Sequence, residues 1–154
     1  MRILFVCLGN ICRSPTAEGV MRAKLIAAGL AGHVEVASAG TGDWHVGKAP
    51  DERTQRAAKA RGYDLSAQRA QQVTEADWRE YDLLLAMDHT NLASIERLRP
   101  DDATAQAALF LRHCQAPVDE VPDPYYGGSR GFDEVLDLVE NACDRLILSL
   151  GKRG

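Results

Sequence analysis

Residues 2–15 read RILFVCLGNICRSP. Ile3 to Val6 is a short, β-rich apolar run of the kind that forms a strand covered on both faces. The chain then passes through Cys7-Leu-Gly-Asn-Ile-Cys-Arg13 and enters a helical pattern that lasts to about Ala28. Ser14 is the expected N-cap and Pro15 the expected first helical residue. Ala17, Val20, Met21, Lys24, Leu25 and Ala28 are spaced along one helix face, with Lys24 lending its aliphatic stem, and Gly29 fits the stop.

Working outward, Val34 to Ser38 reads as a second strand. Residues 40–50, with Gly40, Gly42, Gly47 and Pro50, read as a loop. Asp51 to Arg61 is expected to be helical, and Thr74 to Trp78 a short helical turn. Asp82 to Met87 is a third buried strand, followed by a helix from Thr90 to Leu98 and a fourth strand from Ala107 to Leu111. Phe132 to Leu150 carries Val135, Leu138, Val139, Ala142, Leu146 and Leu150 on one side of a final amphipathic helix. Strands alternating with helices predict an α/β fold with a parallel sheet covered on both faces. Ligands of such sheets bind beyond the carboxyl ends of the strands, which is where Cys7 falls.

The 154 residues suit one domain, spanning 1–154. A hydrophobic share of 45% with 26% charged residues is ordinary globular composition. A net charge of -4 gives no sign of a nucleic-acid partner, which would call for a basic patch. The opening apolar run is too short for a secretion signal, and no stretch is long enough to span a membrane. A cytoplasmic protein is expected, with Cys7, Cys12, Cys114 and Cys143 as reduced thiols. Cys7 and Cys12 are five apart and His113 and Cys114 adjacent, which is not the spacing of a zinc site.

The segment from Cys7 to Ser14 has a chemical reading of its own. A loop between a strand and a helix can turn successive N–H groups inward as an anion nest, and the helix start adds partial positive charge. Arg13 adds a planar fork that holds two phosphate oxygens, and Gly9 tolerates the backbone path. A thiol at the base of this ring is expected to be a thiolate. Cys7 is therefore the candidate nucleophile toward a bound phosphomonoester, forming and then losing a phosphocysteine. Ser14 is placed to hydrogen-bond Cys7 as it leaves. No metal or other cofactor is called for, since Arg13 and the loop amides supply the positive charge. In Val121-Pro-Asp-Pro-Tyr-Tyr-Gly127, two prolines hold Asp123 beside two aromatic rings, as suits a general acid that later serves as base. Activity is expected to be highest at mildly acidic pH.

Val6-Cys-Leu-Gly-Asn-Ile-Cys-Arg-Ser-Pro15 and Asp123-Pro-Tyr-Tyr-Gly127 together resemble the low-molecular-weight protein tyrosine phosphatases, over nearly the whole chain. Ser38-Ala-Gly-Thr41, Met87-Asp88 with Asn91, and the final helix follow in the family's order. The resemblance implies a single-domain three-layer sandwich with a four-stranded parallel sheet of order 2-1-3-4. It implies Cys7 as nucleophile, Arg13 as phosphate clamp and Asp123 as general acid, with Leu8, Gly9, Asn10, Ile11, Cys12 and Ser14 forming the phosphate loop. Asn10 and Ser38 belong to a network that shapes this loop. Trp44, Tyr125 and Tyr126 line the cleft walls against the substrate ring. Gln68 stands where the family often has a His supporting the loop Asn, and Gln71 where it has an Arg.

The resemblance further implies a tyrosine-phosphorylated protein as substrate, with a bacterial tyrosine kinase as one such partner, and a monomer or weak dimer. Ile11, in place of the Thr of arginine-specific relatives, favours phosphotyrosine. Cys12 beside Cys7 could trap an oxidised nucleophile as a disulfide. Two other functions fit the same scaffold. An arsenate reductase would need further cysteines after the third strand, and residues 82–100 contain none. A non-catalytic phosphate-binding module would be expected to have lost Cys7, Arg13 or Asp123.

Overall fold

The computed structural model describes residues 1–126, 128 and 130–153; the side chains of Tyr126, Lys152 and Arg153 lie outside the described set. Four parallel strands form one sheet in the order β2-β1-β3-β4. They are β1 (Arg2–Cys7), β2 (Glu35–Gly40), β3 (Leu83–Ala86) and β4 (Gln106–Leu109). The helices are α1 (Arg13–Ala27), α2 (Glu52–Ala60), α3 (Asp77–Glu80), α4 (His89–Glu96), α5 (Phe110–His113) and α6 (Arg130–Arg153).

The period of two in β1 and β3 divides the core between two layers. Ile3, Phe5 and Cys7, with Leu83, Leu85 and Met87, pack under α1 and α6 beside Val20, Met21, Leu25, Val139 and Leu146. Leu4 and Val6, with Leu84 and Ala86, face the other way against Trp78 and Ile95. Trp78 is fully buried, and its indole N–H donates to the Ile95 carbonyl at 3.0 Å. Full burial of each large apolar side chain contributes about 1.5–3 kcal/mol, so these two layers are the main source of stability. The three-layer arrangement and strand order match the sequence reading.

Besides shifts of one to three residues at other element ends, local expectations differ in these places. The helix after the loop begins at Arg13, so Cys12 is its N-cap and Ser14 and Pro15 lie inside its first turn. Ser14 does not cap; its hydroxyl is spent on Cys7, as described below. The fourth strand stops at Leu109, because Phe110 and Leu111 turn into α5 and drop into the core. Ala28 is the exposed C-cap of α1 rather than part of its apolar face.

β2 is an edge strand, yet its outer carbonyls are occupied. Arg22 Nη2 donates to Val36 O at 2.9 Å, Gln71 Nε2 to Ser38 O at 3.0 Å, and Val73 N to Gly40 O at 2.8 Å.

Candidate active site

The loop from Cys7 to Arg13 is held from outside by its carbonyls. Those of Cys7, Leu8, Ile11 and Cys12 accept from the N–H groups of Thr41, Gly42, Asp51 and Thr16 at 2.8–3.2 Å. In a planar trans peptide the C=O and the next N–H point in opposite directions. Outward carbonyls therefore turn the N–H groups of Leu8, Gly9, Cys12 and Arg13 inward. The fold builds its anion nest in this way. Close approach is needed on two sides. A Cβ at Gly9 would lie 3.0 Å from His45 Cδ2, and one at Gly40 would lie 2.8 Å from Leu8 O and 3.1 Å from Asn10 Cβ.

Asn10 takes up a left-handed backbone, with φ of 56°, and is buried. Asn tolerates that region better than most residues, and here its side chain exploits the position. Nδ2 donates to Ser14 Oγ and to Ser38 Oγ, each at 2.9 Å, while Oδ1 accepts from Gln71 N at 2.9 Å. Asn10 N–H lies 3.3 Å from Cys7 Sγ, and Ser14 Oγ lies 2.9 Å from the same sulfur.

The support that the resemblance assigned to the place of Gln68 thus comes from elsewhere. Gln68 Nε2 donates to Pro15 O at 3.0 Å and makes no hydrogen bond to Asn10 among those described. The backbone N–H of Gln71 does the work on Asn10, and the Gln71 side chain reaches Ser38 O.

Arg13 is almost wholly buried, at 3% exposure, so its charge must be paired. Nη1 donates to Asp88 Oδ2 at 2.7 Å and to Val121 O at 3.0 Å. Nη2 lies 3.6 Å from Asp123 Oδ2. Asp123 is steadied at its other oxygen, where Oδ1 accepts from Tyr125 N at 3.0 Å. One edge of the guanidinium is therefore anchored, and the other faces the pocket.

A pocket opens here, lined by Cys7, Leu8, Gly9, Ile11, Cys12, Arg13, Trp44, His45, Asp123 and Tyr125. Most of the residues expected at the site meet in it. Asn10, Ser14 and Ser38 stand behind the loop instead, with their side chains committed to the network. The Tyr126 side chain lies outside the described residues. Trp44 is exposed at 57% and Tyr125 at 39%, so both rings form walls and not core. His45 was not singled out by the sequence reading, and Asp88 stood there only as part of the family's order, with no role assigned. His45 could have been found as the neighbour of Trp44, and Asp88 as a carboxylate just past the end of a central strand.

The other cysteines are buried. Burial pushes the Cys12 and Cys114 thiols up to about 12, and the Cys143 thiol well above its ordinary value. They stay neutral at physiological pH. Among the described residues, no group of three or more His, Cys, Asp or Glu side chains could hold a metal ion.

A cysteine at the base of an amide nest, with a buried guanidinium and a carboxyl beside it, on a four-stranded α/β sheet, makes a candidate site for cysteine-dependent phosphomonoester hydrolysis. The family model for low molecular weight phosphotyrosine protein phosphatases matches residues 2–154, and the chain belongs to that family. It is 42% identical over 153 residues to a low molecular weight protein-tyrosine-phosphatase of Streptomyces coelicolor, covering 97% of this chain and 93% of the other. The crystal structure of a protein tyrosine phosphatase from Entamoeba histolytica superposes with a TM-score of 0.92 at 38% identity, covering 99% of this chain and 97% of that one. A Drosophila arginine phosphatase structure gives a TM-score of 0.91 at 28% identity, with 97% and 98% covered. The chain is accordingly a protein-tyrosine-phosphatase whose substrates are phosphoproteins.

Proposed function

We propose that Cys7, Arg13 and Asp123 carry the hydrolysis of phosphotyrosine as nucleophile, phosphate clamp and general acid. The observation that supports this most is their meeting in one pocket, beneath walls formed by Trp44 and Tyr125. The inward N–H groups and the pocket-facing edge of Arg13 take the equatorial oxygens of the phosphoryl group. The Cys7 thiolate attacks phosphorus in line, and a P–S bond forms as the bond to the tyrosine oxygen breaks. Asp123 gives its proton to that oxygen. Water then attacks the phosphocysteine, Asp123 takes a proton from the water, the P–S electron pair returns to sulfur, and phosphate leaves.

Ile11 presents an apolar surface in the pocket, which supports phosphotyrosine over phosphoarginine. A tyrosine kinase carrying its own phosphotyrosines is the kind of protein substrate such a site suits. A nucleophilic thiol requires reducing surroundings, which supports a cytoplasmic setting. The protein acts as a monomer or a weak dimer.

Turnover of p-nitrophenyl phosphate tests the assignment. Cys7→Ser is expected to abolish it, and Asp123→Ala to lower kcat by roughly 10²–10⁴-fold, the usual worth of general acid–base catalysis. Wild-type rates in Cys7→Ser would end the proposal. Comparison of phosphotyrosine with phosphoarginine at equal concentration tests the preference assigned to Ile11.

A further inference from the structure

The hydrogen bonds behind the phosphate loop do not stop at Ser38. Ser38 Oγ donates to Glu18 Oε1 at 2.7 Å, and Arg22 Nη1 holds the other oxygen of Glu18 at 2.8 Å. Glu18 has 12% side-chain exposure and lies one turn along α1 from Ser14. An ionised carboxylate only accepts, a hydroxyl donates one hydrogen, and an amide nitrogen only donates. These rules fix the direction of every bond from Glu18 to Ser14, and the last bond, between Ser14 Oγ and Cys7 Sγ, runs to the sulfur when Cys7 is a thiolate.

Glu18 takes the Ser38 hydrogen. Ser38 can then only accept from Asn10 Nδ2, which the 2.9 Å contact satisfies. The second hydrogen of Nδ2 goes to Ser14 Oγ, while Gln71 N–H keeps the Asn10 oxygen on the far side. Ser14, already accepting, is left with one hydrogen and two acceptors in reach. Cys7 Sγ is at 2.9 Å and Ala39 O at 3.5 Å. With Asn10 held, the nearer sulfur receives it.

We infer that Glu18 is a positioning residue: as the terminal acceptor of this chain it fixes Ser38 and Asn10, and so aims the Ser14 hydroxyl at the Cys7 sulfur. The inference rests on Cys7 being the nucleophile. Its effect falls on one step. When the P–S bond of phosphocysteine breaks, the electron pair returns to sulfur, and a donated hydrogen bond stabilises the departing thiolate. Attack on phosphorus moves charge away from sulfur and gains nothing from that bond. Without Glu18, the Ser38 hydrogen has lost its acceptor, Asn10 loosens, and the Ser14 hydrogen can turn to Ala39 O.

The test uses the full-length chain and p-nitrophenyl phosphate. Glu18→Ala, a favourable helix substitution, is expected to lower kcat roughly five-fold, the worth of one hydrogen bond, with KM falling in step and kcat/KM nearly unchanged. The fraction of enzyme trapped as phosphocysteine on acid quench should rise. Glu18→Gln should restore kcat to within about two-fold of wild type, because its amide oxygen still accepts from Ser38. Adding Glu18→Ala to Ser38→Ala should cost nothing further, since the chain is already cut.

Wild-type kcat in Glu18→Ala, a Glu18→Gln variant as slow as Glu18→Ala, or costs that multiply in the double variant would each overturn the inference. Loss of kcat/KM with no rise in trapped phosphoenzyme would overturn it as well. If the quench instead finds phosphate on a residue other than Cys7, the nucleophile assignment itself fails, which is a separate result.

Discussion

Arg13 Nη1 and Asp88 Oδ2 meet at 2.7 Å, and the other oxygen of Asp88 accepts from Asn91 N–H at 2.8 Å. A single carboxylate thus neutralises the buried guanidinium and caps α4. Taking one partner from a buried ion pair is far costlier than never having formed it. Asp88→Ala is expected to destabilise the fold by about 2–4 kcal/mol, combining an unpaired buried charge with a lost cap. Asp88→Asn keeps an acceptor for Asn91 and should cost less. Urea unfolding of the two variants checks the order.

Gly40 ends β2 against the loop, where an added methyl would meet Leu8 O at 2.8 Å and both Asn10 N and Cβ at 3.1 Å. Backbone has little room to yield. Gly40→Ala should destabilise by about 1–3 kcal/mol and displace the loop from its nest geometry. The expected result is a folded protein, by circular dichroism, with turnover reduced at least about ten-fold.

Asp51 caps α2, accepting from Arg53 N at 2.8 Å and Thr54 N at 3.3 Å, while its own N–H holds Ile11 O. Burial pushes its carboxyl up, but the Arg53 side chain and the two N–H groups outweigh this and hold it below the usual 3.8. A depressed carboxylate contributes stability that is fully present above its unfolded value and is lost as pH falls through its folded value. Asp51→Ala is expected to cost about 1 kcal/mol at neutral pH. That difference should shrink as pH drops below 3.8, and thermal melts at pH 7 and pH 3 measure it.

Trp44 folds over Gly42, where any Cβ would strike the indole, Cζ3 being 2.1 Å away. Its ring stays largely solvent-exposed, so little folding energy depends on it. Trp44→Ala should leave the melting temperature unchanged and raise KM for aryl phosphates by about five- to ten-fold, the value of a lost ring contact. A KM equal to wild type would remove Trp44 from the substrate wall.

The alternation of apolar strands with helical patterns made the layers legible, and the strand-end placement of Cys7 made the pocket's location legible. Cys7, Arg13 and Asp123 could be picked out because their residue types and spacing are tied to one chemistry. What escaped depends on contacts between distant segments. Asp88 reaches Arg13 across 75 positions, and the Gln71 backbone reaches Asn10 across 61. A backbone N–H leaves no mark in sequence, so nothing there pointed to the Gln71 backbone as the support of Asn10. Ser14 misled for a local reason. Ser before Pro is a strong capping signature, but the Ser14 hydroxyl is used at the sulfur and the helix begins two residues earlier.

The occupied rim of β2 has a consequence for how the molecule behaves among its own copies. An unguarded outer strand invites another chain to continue the sheet. Here the guanidinium of Arg22 and the amide of Gln71 fill the positions that an incoming strand would need. The same two side chains lean on Glu18 and on the Ser38 carbonyl. Protection from aggregation and the alignment of the chemistry are therefore secured by shared parts.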